Sequence, residues 1–339
     1  MSSLRPGTRN LITDVPGLRV GQSRDLSTRT GVTVIVPDRP AVAACDVRGG
    51  GPGTRETDLL AADVLVEAVD AVVLSGGSVY GLGADGVVAA LGEQGRGFSF
   101  NSTQKTAPIV PAAILFDLAN GGDKSWGSRP PYWDLGQQAL AAAAEDFDLG
   151  SHGAGTGARA GSLKGGTGSA SLIDDDGIVV GALACVNSFG SAVMPGCKAF
   201  WAWPFEIGQE FGGVHPPPGL RVAPDDWGPA KANPELRQNT TIAVVATNVA
   251  LTPAQARRLA IMAQDGLARA LRPVHALFDG DVVFAVSTGQ VALKDPWAMS
   301  LTRLGERAAN CLARAVARGV FAAQGLEGDS APVWKDTKI

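Results

Sequence analysis

The chain has 339 residues, 45% of them hydrophobic and only 18% charged, with a formal net charge of −4 and 44 glycines. That length admits one large layered domain or two, and the apolar share supports an extensive core. No long basic run offers a footprint for nucleic acid or an anionic membrane. No window approaches the roughly 18 apolar residues of a spanning helix, and the opening Met1-Ser2-Ser3-Leu4-Arg5-Pro6-Gly7 lacks a signal peptide's apolar stretch. The four cysteines (Cys45, Cys185, Cys197, Cys311) are scattered without a C-x-x-C pair, as expected for reduced thiols in a cytoplasmic protein. The three histidines form no metal-binding spacing, so neither a metal nor a cofactor is expected.

Short β-like runs come first: 11–13, 18–21, 31–36 and 41–47, each bounded by Gly, Pro or Asp. A glycine loop, 49–54, precedes an amphipathic helix pattern over 57–69. Residues 71–74 read as a buried strand that runs through Gly76-Gly77-Ser78 into a helix over 79–91. A strand at 109–118 and an alanine-rich helix over 133–146 come next. Two strands, 169–173 and 178–186, flank Asp174-Asp175-Asp176-Gly177, a hairpin signal. The stretch 203–238 has no period and many prolines; at that length it reads as a functional or processed loop. The last hundred residues alternate: a strand from Thr240, a helix capped by Thr252-Pro253 and ending near Leu271, a strand at 283–286 and a helix over 301–324. Helix layers packed on sheets are the expected architecture.

Individual motifs are ambiguous. Gly155-Thr156-Gly157-Ala158-Arg159-Ala160 fits a loose dinucleotide fingerprint but comes after no buried strand. Ser78 misses the nucleophile-elbow pattern because Tyr80 stands at its fifth position. Gly77, Ser78 and Tyr80 therefore read either as a structural strand-to-helix turn or as a pocket wall of backbone N–H groups. Asn239-Thr240-Thr241 alone also matches a glycosylation acceptor, and Asp279-Gly280-Asp281 alone reads as a hairpin turn.

Their joint order carries more. The opening 13–21, the block 46–58, the turn 74–82, Asn239-Thr240-Thr241-Ile242, Thr247-Asn248-Val249 and Asp279-Gly280-Asp281 together resemble the DmpA/β-aminopeptidase family of N-terminal-nucleophile hydrolases. In its last third the chain is similar to that family's nylon-oligomer hydrolase (NylC) branch. The resemblance implies an α+β fold, a single αββα sandwich over 1–339. It implies a precursor that splits itself into 1–239 and 240–339, with Asn239-Thr240 as the cut and Thr240 as nucleophile. It implies that Asp279 and Asp281 orient the nucleophile, that Lys164 lies near it, and that Asn187 donates to the oxyanion. It also implies a homo-oligomer of four or more processed units, acting on short peptides, β-peptides, amino-acid amides or ω-amino-acid oligomers.

Two positions depart from the family pattern. Phe116 stands where a tyrosine often assists the oxyanion hole, and Pro111-Ala112 where aminopeptidases carry an acid for the substrate ammonium. The chemistry is coherent, because a threonine hydroxyl needs a base and a free α-amine has a pKa of about 7.7 to 8.0. Two other readings are an acyltransferase resembling the ornithine acetyltransferases and an unprocessed binding homologue.

Overall fold

The computed structural model describes residues 3–100, 102–231 and 239–337. Its strands run β1 (Leu18–Asp25), β2 (Thr30–Pro37), β3 (Ala41–Val47), β4 (Thr54–Arg55), β5 (Ala68–Val69), β6 (Val72–Ser75), β7 (Phe98–Ser99), β8 (Thr106–Ala107) and β9 (Ala112–Ile114). They continue as β10 (Arg159–Ala160), β11 (Leu163–Lys164), β12 (Gly166–Ile173), β13 (Val179–Asn187), β14 (Thr240–Val249) and β15 (Val282–Val291). The helices are α1 (Gly86–Glu93), α2 (Tyr132–Ala141), α3 (Pro253–Ala270) and α4 (Trp297–Phe321).

Two sheets form the middle of the molecule, one ordered β1-β2-β6-β9-β4 and the other β12-β13-β14-β15-β3-β5. Side chains alternate across a strand, so each sheet has two faces to cover. In β14, Ile242 and Val244 face the other sheet, where they join Leu18, Val20, Ile35, Leu74 and Phe284 in one core. The intervening Ala243 and Val245 face outward and pack with Leu259, Leu267, Leu304 and Leu312 of α3 and α4. On the first sheet Val32 and Val34 face outward onto Val87, Leu91 and Leu135 of α1 and α2. Three apolar cores thus separate four layers, an αββα sandwich. No helix among the described residues is long and apolar enough to cross a membrane.

Several expectations are corrected. The helix pattern over 57–69 resolves into a 3-10 turn, Asp58–Leu60, and the edge strand β5. Its apolar side has no layer to cover, and Leu65 is 85% exposed. The expected strand at 11–13 is a 3-10 turn, Ile12–Asp14, and the helix expected from Val79 starts with a 3-10 segment, Ser78–Gly83. Asp279-Gly280-Asp281 is not a hairpin turn: it leads into β15, which runs parallel to β14.

Candidate active site

Parallel strands joined by a crossover helix enter a sheet side by side. Here α3 carries the chain from β14 back to β15, with Ile242 aligned to Val282. Three residues upstream on each strand, Asn239 lies beside Asp279, and the two residues form a parallel bridge. On the other flank β13 runs antiparallel to β14, and Asn187 is aligned with Thr240. Strand register alone therefore gathers Asn187, Asn239, Thr240, Asp279 and Asp281 from three segments far apart in sequence.

The peptide between Asn239 and Thr240 is buried. The Thr240 hydroxyl donates to the carbonyl oxygen of Asn239, one bond upstream. The Gly280 N–H donates to the same oxygen at 2.9 Å. A side chain at Gly280 would bring its Cβ to 2.7 Å from Thr240 Oγ1 and 2.9 Å from the Gly51 carbonyl, so the close approach requires glycine. The glycine loop after β3 wraps this corner: the Gly49 N–H donates to the Asp281 carbonyl and the Gly51 N–H to that of Asp279.

The two acids serve the backbone. Asp281 accepts from the Thr241 N–H at 2.7 Å and from His275 Nδ1 at 2.8 Å. Asp279 accepts from the N–H groups of Phe189 at 3.2 Å and Ala276 at 3.0 Å. Burial, reinforced by the Asp281 charge, pushes Asp279 up to about 7. Thr241 keeps its own hydroxyl buried with no hydrogen-bond partner among the described residues.

Asn187 is fixed by its neighbours, its Oδ1 accepting from the Arg159 N–H and its Nδ2 donating to the Phe116 carbonyl, both at 2.9 Å. Lys164 is buried in β11, which pairs with β10 outside the sheet that carries Thr240. It donates to the Thr156 carbonyl at 2.6 Å and pairs with Asp329 at 3.4 Å, and none of the contacts found for it is with Thr240. Burial lowers its pKa.

The amine that touches the junction is Lys231. Its Nζ lies 2.7 Å from Asn239 Oδ1 and 3.4 Å from the Asn187 carbonyl. Burial brings it down to about 7, against the pull of Asp279 and with help from Arg159. Sequence reasoning missed it because it stands in the proline-rich stretch without a period. Its one signal is that no other lysine occurs between Lys198 and Lys294.

A cleft of about 300 Å³ opens beside the junction, walled by Phe116, Asp117, Asn120, Arg159, Asn187 and Lys231. Gly77, Ser78 and Tyr80 are not in its lining. The Gly77 N–H donates to Asp117 at 2.8 Å and the Ser78 N–H to the Leu115 carbonyl at 2.9 Å, so that turn braces the wall from behind. Tyr80 lies edge-on to Trp126, half exposed. Burial pushes Asp117 up to about 6, although Thr30 and Gly77 both donate to it.

Comparison with known proteins matches residues 10–333 to the model of peptidase family S58. A protein of Mycobacterium tuberculosis described as an uncharacterized aminopeptidase is 45% identical over 350 residues, covering 96% of this chain and 97% of that one. A 6-aminohexanoate-oligomer endohydrolase of a Kocuria species is 29% identical, covering 89% of this chain and 81% of that one. Among solved structures, a Burkholderia β-aminopeptidase superposes with a TM-score of 0.72 at 24% identity, covering 97% and 92% of the two chains. The L-aminopeptidase D-Ala-esterase/amidase of Ochrobactrum anthropi, described as a variant of the N-terminal-nucleophile hydrolase fold, gives 0.70 at 22% identity, covering 97% and 92%. With that fold, and a family match spanning nearly its whole length, the chain belongs to peptidase family S58 and is a peptidase or amidohydrolase.

Proposed function

We propose that the chain is a precursor that cuts itself between Asn239 and Thr240 and then hydrolyses amides with Thr240 as an N-terminal nucleophile. The observation that carries this reading is the shared carbonyl oxygen of Asn239, which takes the Thr240 hydroxyl on one side and the Gly280 N–H on the other. In the cut, Thr240 Oγ1 adds to the Asn239 carbonyl carbon as its proton leaves. Gly280 steadies the negative oxygen, a donor role whose loss typically costs about 10²–10³ in rate. The C–N bond then breaks, the Thr240 nitrogen takes a proton, and water hydrolyses the resulting ester to a carboxylate on Asn239.

The freed α-amine, with an ordinary pKa of about 7.7 to 8.0, becomes the base for the hydroxyl beside it. Substrate acylates Thr240, its amine leaves protonated, and water releases the acid. Asn187, aligned across from Thr240, supplies the oxyanion donor in this reading, and Asp279 and Asp281 hold the strand end in place. Short peptides, amino-acid amides and ω-amino-acid oligomers fit a cleft of this size, and the relatives' descriptions favour the same class.

Intact-mass measurement with a substrate panel tests this directly. The wild type is expected to resolve into two chains and to hydrolyse part of a panel of amino-acid p-nitroanilides and 6-aminohexanoate oligomers. Thr240→Ala should remain one chain and lose turnover by about 10³ or more. A Thr240→Ala protein that still splits sinks the assignment.

A further inference from the structure

The uncut chain has no free α-amine at Thr240, so the cut cannot use the base that serves turnover. Something else must prepare the Asn239 carbonyl for attack. The Asn239 side chain is buried; its Nδ2 has no hydrogen-bond partner among the described residues, and its Oδ1 accepts from Lys231 Nζ at 2.7 Å. The same amine reaches the Asn187 carbonyl at 3.4 Å, on the strand end that faces Thr240. The Lys231 N–H is itself anchored on the Phe189 carbonyl at 3.1 Å, and the Phe189 N–H in turn donates to Asp279. Lys231 thus spans the mouth between β13 and β14 where the scissile peptide sits.

We infer that Lys231 is a positioning residue for self-cleavage, clamping the Asn239 side chain so that the scissile carbonyl stays between the Thr240 hydroxyl and the Gly280 N–H. This rests on the self-cleavage proposed above. Lys231 lies upstream of the cut and acts through a residue that becomes a chain end once the bond is broken. Removing the amine leaves Asn239 Oδ1 buried without a donor among the described residues, and the side chain gains freedom to turn away with its backbone. Leaving a buried acceptor without its donor corresponds to a rate about 10- to 100-fold lower.

The test is a time course of intact mass on freshly purified precursor, with circular dichroism confirming the fold of each variant. Lys231→Met is expected to slow the cut about 10- to 100-fold, and Lys231→Arg, which keeps an N–H donor, to slow it less. Asn239→Ala alone should be slowed to a similar degree with Lys231 intact. In the double variant the two effects should fail to multiply, since one residue acts through the other. Wild-type cutting by Lys231→Met overturns the inference, as do effects that multiply. If Lys231→Met does not fold, Asn239→Ala still decides: cutting at the wild-type rate overturns the clamp. A wild-type chain that never splits defeats the underlying self-cleavage as well, and is told apart because no variant is needed to see it.

Discussion

Asp279 holds its proton more tightly than an ordinary carboxylate because it is buried beside Asp281, and Lys231 holds its own less tightly because it is buried as well. The two shifts act on stability in opposite pH windows. Between about pH 4 and pH 7 folded Asp279 binds a proton that the unfolded chain has lost, so stability falls as pH rises through that window. From about pH 7 to pH 10 the unfolded chain binds the Lys231 proton that the folded one has lost, so stability rises. In the uncut Thr240→Ala background, adding Asp279→Asn should flatten the first slope and start the second at a lower pH, because the Asp279 charge helps to hold the Lys231 proton. Thermal melts at pH 4.5, 6, 7.5 and 9 read this as a difference between the two proteins. An unchanged acid-side slope would show that Asp279 does not carry the shift. The prediction concerns slope and not absolute stability, since an Asn amide would turn its NH₂ toward one of the two backbone donors that Asp279 now accepts. At this scale the motif residues were legible because they sit in tight local patterns, Asn239-Thr240 and Asp279-Gly280-Asp281. Lys231 and Asp329 were not: each reaches its partner through loop paths that leave no period in the sequence. Lys164, expected near Thr240, spends its donors on Thr156 and Ala158 and pairs with Asp329.

The element that sets the site's geometry is α3, because its length and entry fix how β15 comes in beside β14. Its start is doubly tied: Gln255 N–H donates to Thr252 Oγ1 at 3.3 Å, and the Thr252 N–H donates to Gln255 Oε1 at 2.9 Å. Pro253 fills the first turn, where a missing N–H costs nothing. Thr252→Ala should therefore cost about 1 kcal/mol in urea denaturation. It should leave the rate of self-cleavage within about twofold, since the first turn of α3 is at the far end of β14 from Thr240 and no bond reaches between them. A large loss of cutting would mean that the cap governs strand register. This capping pair was readable from Thr252-Pro253, as were β12 through β15, because long apolar runs and turn residues coincide there. The 57–69 segment misled for a physical reason: a helical period only becomes a helix when a layer exists to bury its face. Ala68–Val69 instead extends the edge of the second sheet, paired with Ala41 and Val42.

At the scale of the whole molecule, the two pieces left by a cut at Asn239 are interleaved. Strands β14 and β15 belong to 240–339, yet they lie inside a sheet whose outer members, β12, β13, β3 and β5, belong to 1–239. On one side β14 is bonded along eight residue pairs to β13, and on the other β15 is bonded along six to β3. Helix α4 packs on β12 and β13 as well, and α3 on β3, so the outer apolar core is built from both pieces. Separating them would expose that core together with the inter-sheet one, and burial at about 25 cal/mol per Å² makes such exposure prohibitive for surfaces of this extent. Cleavage should therefore change the covalent chain and not the fold. A processed sample is expected to give two bands on a denaturing gel while eluting as one species in native size-exclusion chromatography, at the volume of the uncut Thr240→Ala protein. Its far-ultraviolet circular dichroism should match that protein's. Elution of a free fragment corresponding to 240–339 without denaturant would show that the interleaved sheet does not hold the pieces, and would require the active form to be assembled in some other way.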